Sequence, residues 1–282
     1  MRTFTLKGLF VTAVFMLLGC LTIHAADGDL ITKQITIKLE KAGTLPSKIG
    51  DTKKYKITNL KIMGEINGTD LCFIRNMAGP VNGFDHLERK LATLDLSGSK
   101  IVKGGDSYYN YYDKGYYTSD DVIGAHAFSG CRSLTSLTLP SGVTSIGESA
   151  FTGCSGLTSL TLPSSVTSIG DSAFEGCSGL TSIYVSWESP LPINASIFEY
   201  ANTKKCILYV PKGTYDDYWL SNWGIFENIV EYDATGIDHI TTSGEAKEIS
   251  RYAADGQRLE VPAKGLNIVK YSDGCVKKVV VQ

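Results

Sequence analysis

The feature that most constrains this chain is a segment of 23 residues that occurs three times in succession. Residues 123–145 read IGAHAFSGCRSLTSLTLPSGVTS and residues 146–168 read IGESAFTGCSGLTSLTLPSSVTS; a third copy begins IGDSAFEGCSGLTSIYV at residue 169. A period of about 20 to 50 residues is typical of a solenoid, in which each repeat contacts only its neighbours. The chain is therefore predicted to fold as a stack of coils.

Each copy contains the residues of one strand and of the interior of one coil. Leu157, Leu160 and Leu162 follow the L-x-x-L-x-L spacing of leucine-rich repeats. Alternation along a strand places Leu160 and Leu162 on one face, and Pro163 ends the strand because it has no N–H to donate. A single coil buries too little apolar surface to offset the entropy of ordering its backbone. The coils must therefore stack to be stable.

Less regular copies flank the clear ones. Leu91, Leu94 and Leu96 have the same spacing, and CILYVP at 206–211 corresponds to LTSLTLP. The predicted fold class is an α+β solenoid, a leucine-rich repeat β-solenoid of about five 23-residue coils over residues 84–211.

The raw ends of a solenoid need caps. Residues 27–83 are predicted to form the N-terminal cap as strand, short helix, strand and helix, and residues 212–236 the C-terminal cap. In the latter, Thr214 and Asp217 resemble a helix capping box. An apolar helical stripe is expected there as well; its members are Tyr215, Tyr218, Trp219 and Ile225 or Phe226.

The last residues have a different pattern. Residues 237–282 follow a short linker and contain four short apolar segments, with the turn signals Asp255-Gly256 and Asp273-Gly274 between them. They are predicted to form a small all-β, β-sandwich-like module that serves sorting or anchoring.

The first residues have the pattern of an export signal. Arg2 and Lys7 precede an apolar run that ends near Ala25 and Ala26, as expected of a signal peptide over residues 1–26. The alternative is a lipoprotein signal, since LLGC at 17–20 would make Cys20 the lipidated residue. A formal net charge of −2 gives no electrostatic footprint for nucleic acid.

The spacing of the cysteines and the lack of catalytic motifs in the sequence argue against metal sites and enzyme chemistry. Cys131, Cys154 and Cys177 recur at one position of the repeat. Side chains at equivalent positions of stacked coils point the same way, which disfavours disulfide geometry, so buried free thiols are expected. There is no C-x₂-C spacing and no G-x-S-x-G, H-E-x-x-H or phosphate-binding loop pattern. No enzyme activity, cofactor or metal is predicted.

The residues that alternate with the inward leucines form an outward strip, here called the strand face. Solenoids commonly bind ligands on the concave face that such strands form. The strip is rich in hydroxyl groups and almost uncharged, which suits a protein or glycan; the alternative is that Thr and Ser merely suit an exposed sheet. The candidate ligand-binding residues are Asp95, Thr138, Thr161 and Tyr184, with Asp95 and Tyr184 preferred.

A second candidate is the tyrosine-rich stretch YYNYYDKGYY at residues 108–117. Tyrosine gives large, stiff contact area and is enriched in binding loops. The alternative is a structural loop that buries its own rings. The weaker candidate residues are Tyr108, Tyr109, Tyr111, Tyr112, Tyr116 and Tyr117.

The repeat pattern IGxxAFxGCxxLTSLTLPxxVTS resembles the BspA-like, or Treponema pallidum-type, leucine-rich repeats of bacterial surface proteins. The resemblance is specific over about 123–185 and weaker over 84–211. ITNLKIMGEINGTDLCFIRNMAG and LYVPKGTYDDYWLSNWGIFENIVEYD also resemble flanking regions of Bacteroides-type members, and RYAADGQRLEVPAKGLNIVKYSDGCVKKVVV is similar to sorting-type β-modules.

The resemblance implies a secreted or cell-surface protein of a Gram-negative bacterium. Some members of the family act in adhesion to host matrix proteins, so we expect a non-catalytic, adhesin-like binding protein for a host or environmental protein or glycan. The alternative is a scaffolding component of the cell envelope that contacts other envelope proteins. A monomer is expected, with membrane contact only through a lipid anchor.

Overall fold

The computed structural model describes residues 30–79, 89–111, 113–232, 248–253, 258–259, 261, 263–271 and 276–281. The expected signal peptide, with Cys20, lies outside the described residues, as does Tyr112. In the described part of the chain no helix is long and apolar enough to cross a membrane.

Strands and helices alternate in the N-terminal flank, and strands follow one another through the repeats. The helices are α1 (Leu45–Ile49), α2 (Gly68–Ala78) and α3 (Tyr215–Trp219), and 3₁₀ turns occupy Ala195–Phe198 and Asn222–Ile225. The strands are β1 (Ile35–Leu39), β2 (Asn59–Ile66), β3 (Thr93–Ile101), β4 (Gly104–Tyr111), β5 (Lys114–Thr118), β6 (Val122–Ile123), β7 (Ser136–Thr138), β8 (Ser145–Ile146), β9 (Ser159–Thr161), β10 (Ser168–Ile169), β11 (Ser182–Tyr184), β12 (Ile207–Pro211), β13 (Asn228–Tyr232), β14 (Glu248–Ala253), β15 (Arg258–Leu259), β16 (Gly265–Tyr271) and β17 (Val276–Val281).

One parallel sheet runs through the repeats and both flanking regions. Its eight strands follow the order β1-β2-β3-β7-β9-β11-β12-β13. Equivalent residues of neighbouring coils are paired, so Ser159 lies between Ser136 and Ser182. The predicted leucine-rich repeat solenoid is confirmed, with its strands stacked in register.

The other side of each coil is closed by short strands and a column of phenylalanines. Strands β6, β8 and β10 form a three-stranded sheet in the order β10-β8-β6. Successive phenylalanine rings are 5.3, 5.2 and 5.3 Å apart and nearly parallel. With the repeated leucines they form one continuous core; the column consists of Phe128, Phe151, Phe174 and Phe198.

Close approach between coils explains why some repeat positions hold glycine. A Cβ atom on Gly156 would lie against the carbonyl oxygen of Arg132, and one on Gly179 against that of Ser155. Any larger residue would push the coils apart at this turn. The close contact between coils therefore requires glycine at this position of the turn.

The N-terminal flank has the predicted order of strand, short helix, strand and helix. Its strands β1 and β2 extend the main sheet, and Leu60 and Ile62 of β2 are fully buried. Helix α2 begins with a capping box that the sequence analysis did not identify. The Asn67 side chain accepts a hydrogen bond from Thr69 N, and the Asp70 carboxylate accepts one from Asn67 N.

The C-terminal flank differs from the prediction at the start of helix α3. The prediction of a capping box at Thr214 and Asp217 is wrong. The Thr214 hydroxyl donates to the carbonyl of Pro211 at 2.7 Å, and the Thr214 side chain does not cap the helix. The Glu231 carboxylate instead accepts from the N–H groups of Gly213 and Tyr215 at 2.9 and 3.0 Å. A residue of strand β13 thus caps α3.

The predicted apolar stripe of this flank is only partly correct. Tyr218 and Phe226 are buried, whereas Tyr215 and Trp219 are 40% and 49% exposed. Helix α3 ends at Trp219, and the following 3₁₀ turn places Trp223 in the core instead.

The C-terminal strands form a separate sheet. Strands β14 to β17 are antiparallel in the order β15-β14-β16-β17. Four strands match the sequence pattern, but they make one sheet in the described residues where a sandwich-like arrangement was expected. The turns at Asp255-Gly256 and Asp273-Gly274 lie outside the described residues.

Candidate functional site: the strand face

The outward residues of strands β3, β7, β9, β11 and β12 form two rows of hydroxyl groups. The first row follows the paired residues Thr93, Ser136, Ser159 and Ser182. The second begins at Thr138 and Thr161 and continues through Tyr184 and Tyr209. All eight side chains are partly exposed, because they alternate with the leucines and isoleucine that fill the core.

The threonines of the repeat fall into two groups that sequence alone does not separate. The hydroxyl of Thr158 donates to the carbonyl of Thr135, and that of Thr181 to the carbonyl of Thr158. Those groups hold adjacent coils together. The hydroxyls of Thr138 and Thr161, by contrast, have no hydrogen-bond partner within the described residues and are available to a ligand.

Asp95 differs from the exposed contact residue expected at this position. It is 7% exposed, and its carboxylate lies 2.7 Å from Nζ of Lys61 on the neighbouring strand. Burial raises the pKa of Asp95, but the hydrogen bonds from Lys61 and Ser97 outweigh it and hold the pKa below its ordinary value. This ion pair neutralises the N-terminal end of the strand face.

Tyr184 lies on the strand face as expected, and it has an aromatic neighbour. Its ring stacks on that of Tyr209 with centroids 4.3 Å apart and planes 3° apart. The sequence analysis missed Tyr209, although it aligns with Thr161 once CILYVP is matched to LTSLTLP. The row of threonines therefore continues as a pair of tyrosines.

The tyrosine-rich stretch forms a hairpin of strands β4 and β5, here called the tyrosine hairpin (residues 104–118). Tyr108 is contradicted as a contact residue: it is 2% exposed, and its hydroxyl donates to the carbonyl of Ala125 at 2.8 Å. Burial raises its pKa to about 12. Tyr111 and Tyr117 remain exposed. The structural interpretation thus applies to Tyr108, and a binding role of the exposed rings stays a prediction.

His126 lies among the partly buried rings of the tyrosine hairpin. Its ring is 5.4 Å from that of Tyr109 and 5.0 Å from that of Tyr116. The guanidinium of Arg75 lies 4.5 Å from the centroid of the Tyr109 ring. The sequence analysis missed this cluster, because residues 75 and 126 are brought together only by the fold.

The cysteine column consists of free, buried thiols, as predicted. The Sγ atoms of Cys154 and Cys177 donate to the carbonyls of Phe128 and Phe151. Burial raises the pKa of Cys131 to about 11 and that of Cys177 to about 12. Such thiols are protonated near neutral pH and are poor nucleophiles.

Across the described ranges no three His, Cys, Asp or Glu side chains lie together in a way that could hold a metal ion.

The stacked parallel strands and repeated leucines place the protein in the leucine-rich repeat class. A family model described as "BspA type Leucine rich repeat region" matches residues 119–257 with six copies. Residues 119–257 thus contain leucine-rich repeats of the BspA type. The match continues beyond residue 211, where the last coil was expected to end, and it covers strand β13.

Three solved structures are among those that the chain matches. The leucine-rich repeat protein of T. pallidum is 19% identical over 54% of this chain and 58% of that one, with a TM-score of 0.30. A leucine-rich repeat protein from Bacteroides ovatus is 22% identical over 65% and 45%, with a TM-score of 0.34. The pneumococcal vaccine antigen PcpA is 16% identical over 62% and 57%, with a TM-score of 0.28.

The chain spans about half the length of these three proteins, 58%, 45% and 57% respectively. No curated protein matches the sequence.

Proposed function

We propose that the protein is a non-catalytic binding protein of the cell surface or the extracellular space, and that it binds its ligand through the strand face. The observation that carries the proposal is the pair of partly exposed hydroxyls of Thr138 and Thr161, which have no hydrogen-bond partner within the described residues. The repeat type supports it as well, since solenoids commonly bind on the face that their strands form.

The chemistry of the remaining residues fits a binding role better than catalysis. The thiols of the column are buried and have raised pKa values. The half-buried His126 packs against tyrosine rings, and Asp95 is paired with Lys61. A catalytic site needs titratable groups that converge on a substrate position. These groups are instead engaged in packing and pairing.

The test is a binding screen with variants that block one face. The purified full-length protein is assayed against matrix proteins, mucins and immobilised glycans. Thr161→Arg places a long cation on the strand face, and Thr167→Arg makes the same change beside β10 on the other side of the coil. We expect a ligand whose affinity falls at least about tenfold in Thr161→Arg and stays unchanged in Thr167→Arg.

Other outcomes would contradict this proposal in distinct ways. Binding that survives Thr161→Arg but is lost in Tyr117→Ala would place the site on the tyrosine hairpin. Co-purification with envelope proteins and no soluble ligand would support the scaffolding role instead.

A further inference from the structure

We infer that the strand face is a site for a neutral polysaccharide whose chain runs across the strands, perpendicular to them. This inference rests on the proposed function and names the ligand class of the same face. It follows from three properties of the two hydroxyl rows: their hydrogen-bonding chemistry, their spacing and their lack of net charge.

The hydroxyl rows match a polyhydroxylated ligand in hydrogen-bonding capacity. Each hydroxyl both donates and accepts, as the hydroxyls of a sugar do. Within the described residues the side-chain hydroxyls of Thr93, Ser136, Thr138, Thr161 and Tyr209 have no protein partner, and Ser182 donates only to Ser159. Most of the grid is therefore open to direct or water-mediated hydrogen bonds.

An extended peptide fits this face less well than a glycan does. Backbone N–H and C=O groups in a sheet point sideways to the adjacent strands, so the strand face presents side chains only. Peptides that pair with sheets do so at an edge, where main-chain groups are free. A peptide that crossed the strand face could pair its backbone groups only with scattered side-chain hydroxyls. A glycan, by contrast, carries its polar groups along its whole length.

The spacing of the grid suits a chain of sugar rings. Hydroxyls of one row recur at each strand, about 4.8 Å apart, and the two rows are separated by about 6.6 Å along the strands. Four strands give a row about 14 Å long, which is enough for a short run of extended sugar units. The stacked rings of Tyr184 and Tyr209 form the C-terminal part of the second row and offer apolar surface to sugar C–H groups.

The charge of the face selects against acidic polysaccharides. The formally charged side chain at these described positions of β3 to β12 is Asp95, and it is neutralised by Lys61 at 2.7 Å. No cation of the rows is therefore left over to pair with a uronate or sulfate group. Binding should depend only weakly on salt, since Coulombic attraction is what salt screens.

The experiment compares two matched double variants of the full-length protein. Thr138→Val with Thr161→Val removes two open hydroxyls and keeps the side-chain shape. Thr144→Val with Thr167→Val makes the same change 23 residues apart on the other side of the coil, where both hydroxyls donate to backbone carbonyls. Circular dichroism and thermal unfolding establish that each variant is folded.

The probes are xyloglucan, laminarin and amylose as neutral polysaccharides, and pectin and heparin as acidic ones. We expect at least one neutral probe to bind, with affinity about tenfold lower in Thr138→Val with Thr161→Val, as the loss of two neutral hydrogen bonds implies. The affinity should stay within about twofold in the control variant. It should also change less than about twofold between about 50 and about 500 mM salt, because salt screens attraction between charges and this ligand has none.

The outcomes separate this inference from the proposed function. Equal binding of a neutral probe by both double variants, or preference for pectin or heparin, would overturn the inference. A protein ligand blocked by Thr161→Arg, with no polysaccharide bound, would overturn it while leaving the proposed function intact. If Thr161→Arg blocks no ligand of any class, both are wrong.

Discussion

Arg75 is one of the residues that join the N-terminal flank to the first BspA-type coil, as is Ser133, which donates to the carbonyl of Ala78. The Arg75 guanidinium donates to the carbonyls of His126 and Ala127 at 2.6 and 2.9 Å, and to that of Ser129 at 3.3 Å. The side chain is buried. Helix α2 and the first coil are thus connected by one planar cation whose fork matches several acceptors at once.

Replacing Arg75 should destabilise the protein markedly. Arg75→Lys keeps the charge but loses the fork, and Arg75→Met leaves the carbonyls without a donor. Each should lower the free energy of unfolding by about 2–4 kcal/mol, because buried hydrogen bonds to a charged group contribute about 1.5–3 kcal/mol each and are only partly replaced. Urea denaturation measures this, with the exposed Arg132→Lys as control. A loss under about 0.5 kcal/mol would contradict the role.

His126 should make stability depend on pH. Burial lowers its pKa, and the cations Arg75 and Lys114 lower it further, while Glu148 opposes them. The rings that face it belong to Tyr109, Tyr111 and Tyr116.

The unfolded chain takes up this proton near pH 6.5, whereas the folded protein takes it up only at lower pH. Stability therefore falls as pH drops below about 6.5, until the folded pKa is passed. His126→Asn tolerates the left-handed backbone at φ 58° and does not titrate. Unfolding free energies of wild type and variant are measured from pH 8 to pH 5. As pH falls through this window, the wild type should lose stability relative to the variant. Parallel curves would refute the assignment.

Single residues were the least predictable part of the site. The repeat pattern correctly places Thr138, Thr161 and Tyr184 on the outward face. It does not reveal that Asp95 is buried, because Lys61 belongs to a strand 34 residues earlier and outside the clear repeats. Period and alternation determine which way a side chain points, whereas its partners depend on contacts between distant parts of the chain.

At the scale of elements, the coil is held by the repeated stacking of identical side chains. Phe151 lies between Phe128 and Phe174 with interplanar angles of 2° and 5°. Each element therefore depends on its two neighbours, as expected of a solenoid with nearest-neighbour coupling.

This coupling can be measured with a double-mutant cycle. Phe151→Ala alone should lower the free energy of unfolding by about 3–5 kcal/mol, as for other buried phenylalanines. Phe151→Leu combined with Phe174→Leu should show a coupling energy of about 0.5–1.5 kcal/mol, the range for aromatic pairs in contact. The matched pair Phe128→Leu with Phe174→Leu involves rings that do not touch, and it should be additive. Coupling of the same size in both pairs would contradict nearest-neighbour stacking.

Elements inside the repeats were more predictable than those beside them. The strands of the coils and the order of elements before α2 follow from apolar spacing. The end of α3 at Trp219 and its capping by Glu231 do not, because Glu231 lies on a later strand, 16 residues after Tyr215 and 18 after Gly213.

At the scale of the whole molecule, the core carries thiols without disulfides. Cys131, Cys154 and Cys177 are buried and free, and burial raises their pKa values. In the described residues the sheet and core run without a break from the N-terminal flank to β13, and packing along them stabilises the fold.

The thiols should be unreactive until the molecule unfolds. With Cys20 and Cys275 changed to Ser, the native protein at pH 8 should react with Ellman's reagent only slowly, through the half-buried Cys72. In denaturant the column should react fully and at the rate of free cysteine. Cys72→Ser is the control that removes the slow native phase. Rapid labelling of the column in native buffer would show that the coils open readily.

The equivalence of the coils also bears on how such a chain changes over generations. Thr158 bonds to Thr135 as Thr181 bonds to Thr158, and Gly179 faces Ser155 as Gly156 faces Arg132. A change of the gene that deletes or duplicates one 23-residue coil would therefore leave these particular contacts between neighbouring coils with equivalent partners. Each such event lengthens or shortens the hydroxyl rows by one strand, about 4.8 Å, while both ends stay the same. The length of the strand face therefore changes by whole coils. Gene variants of different repeat number are expected to differ in the length of ligand that they contact.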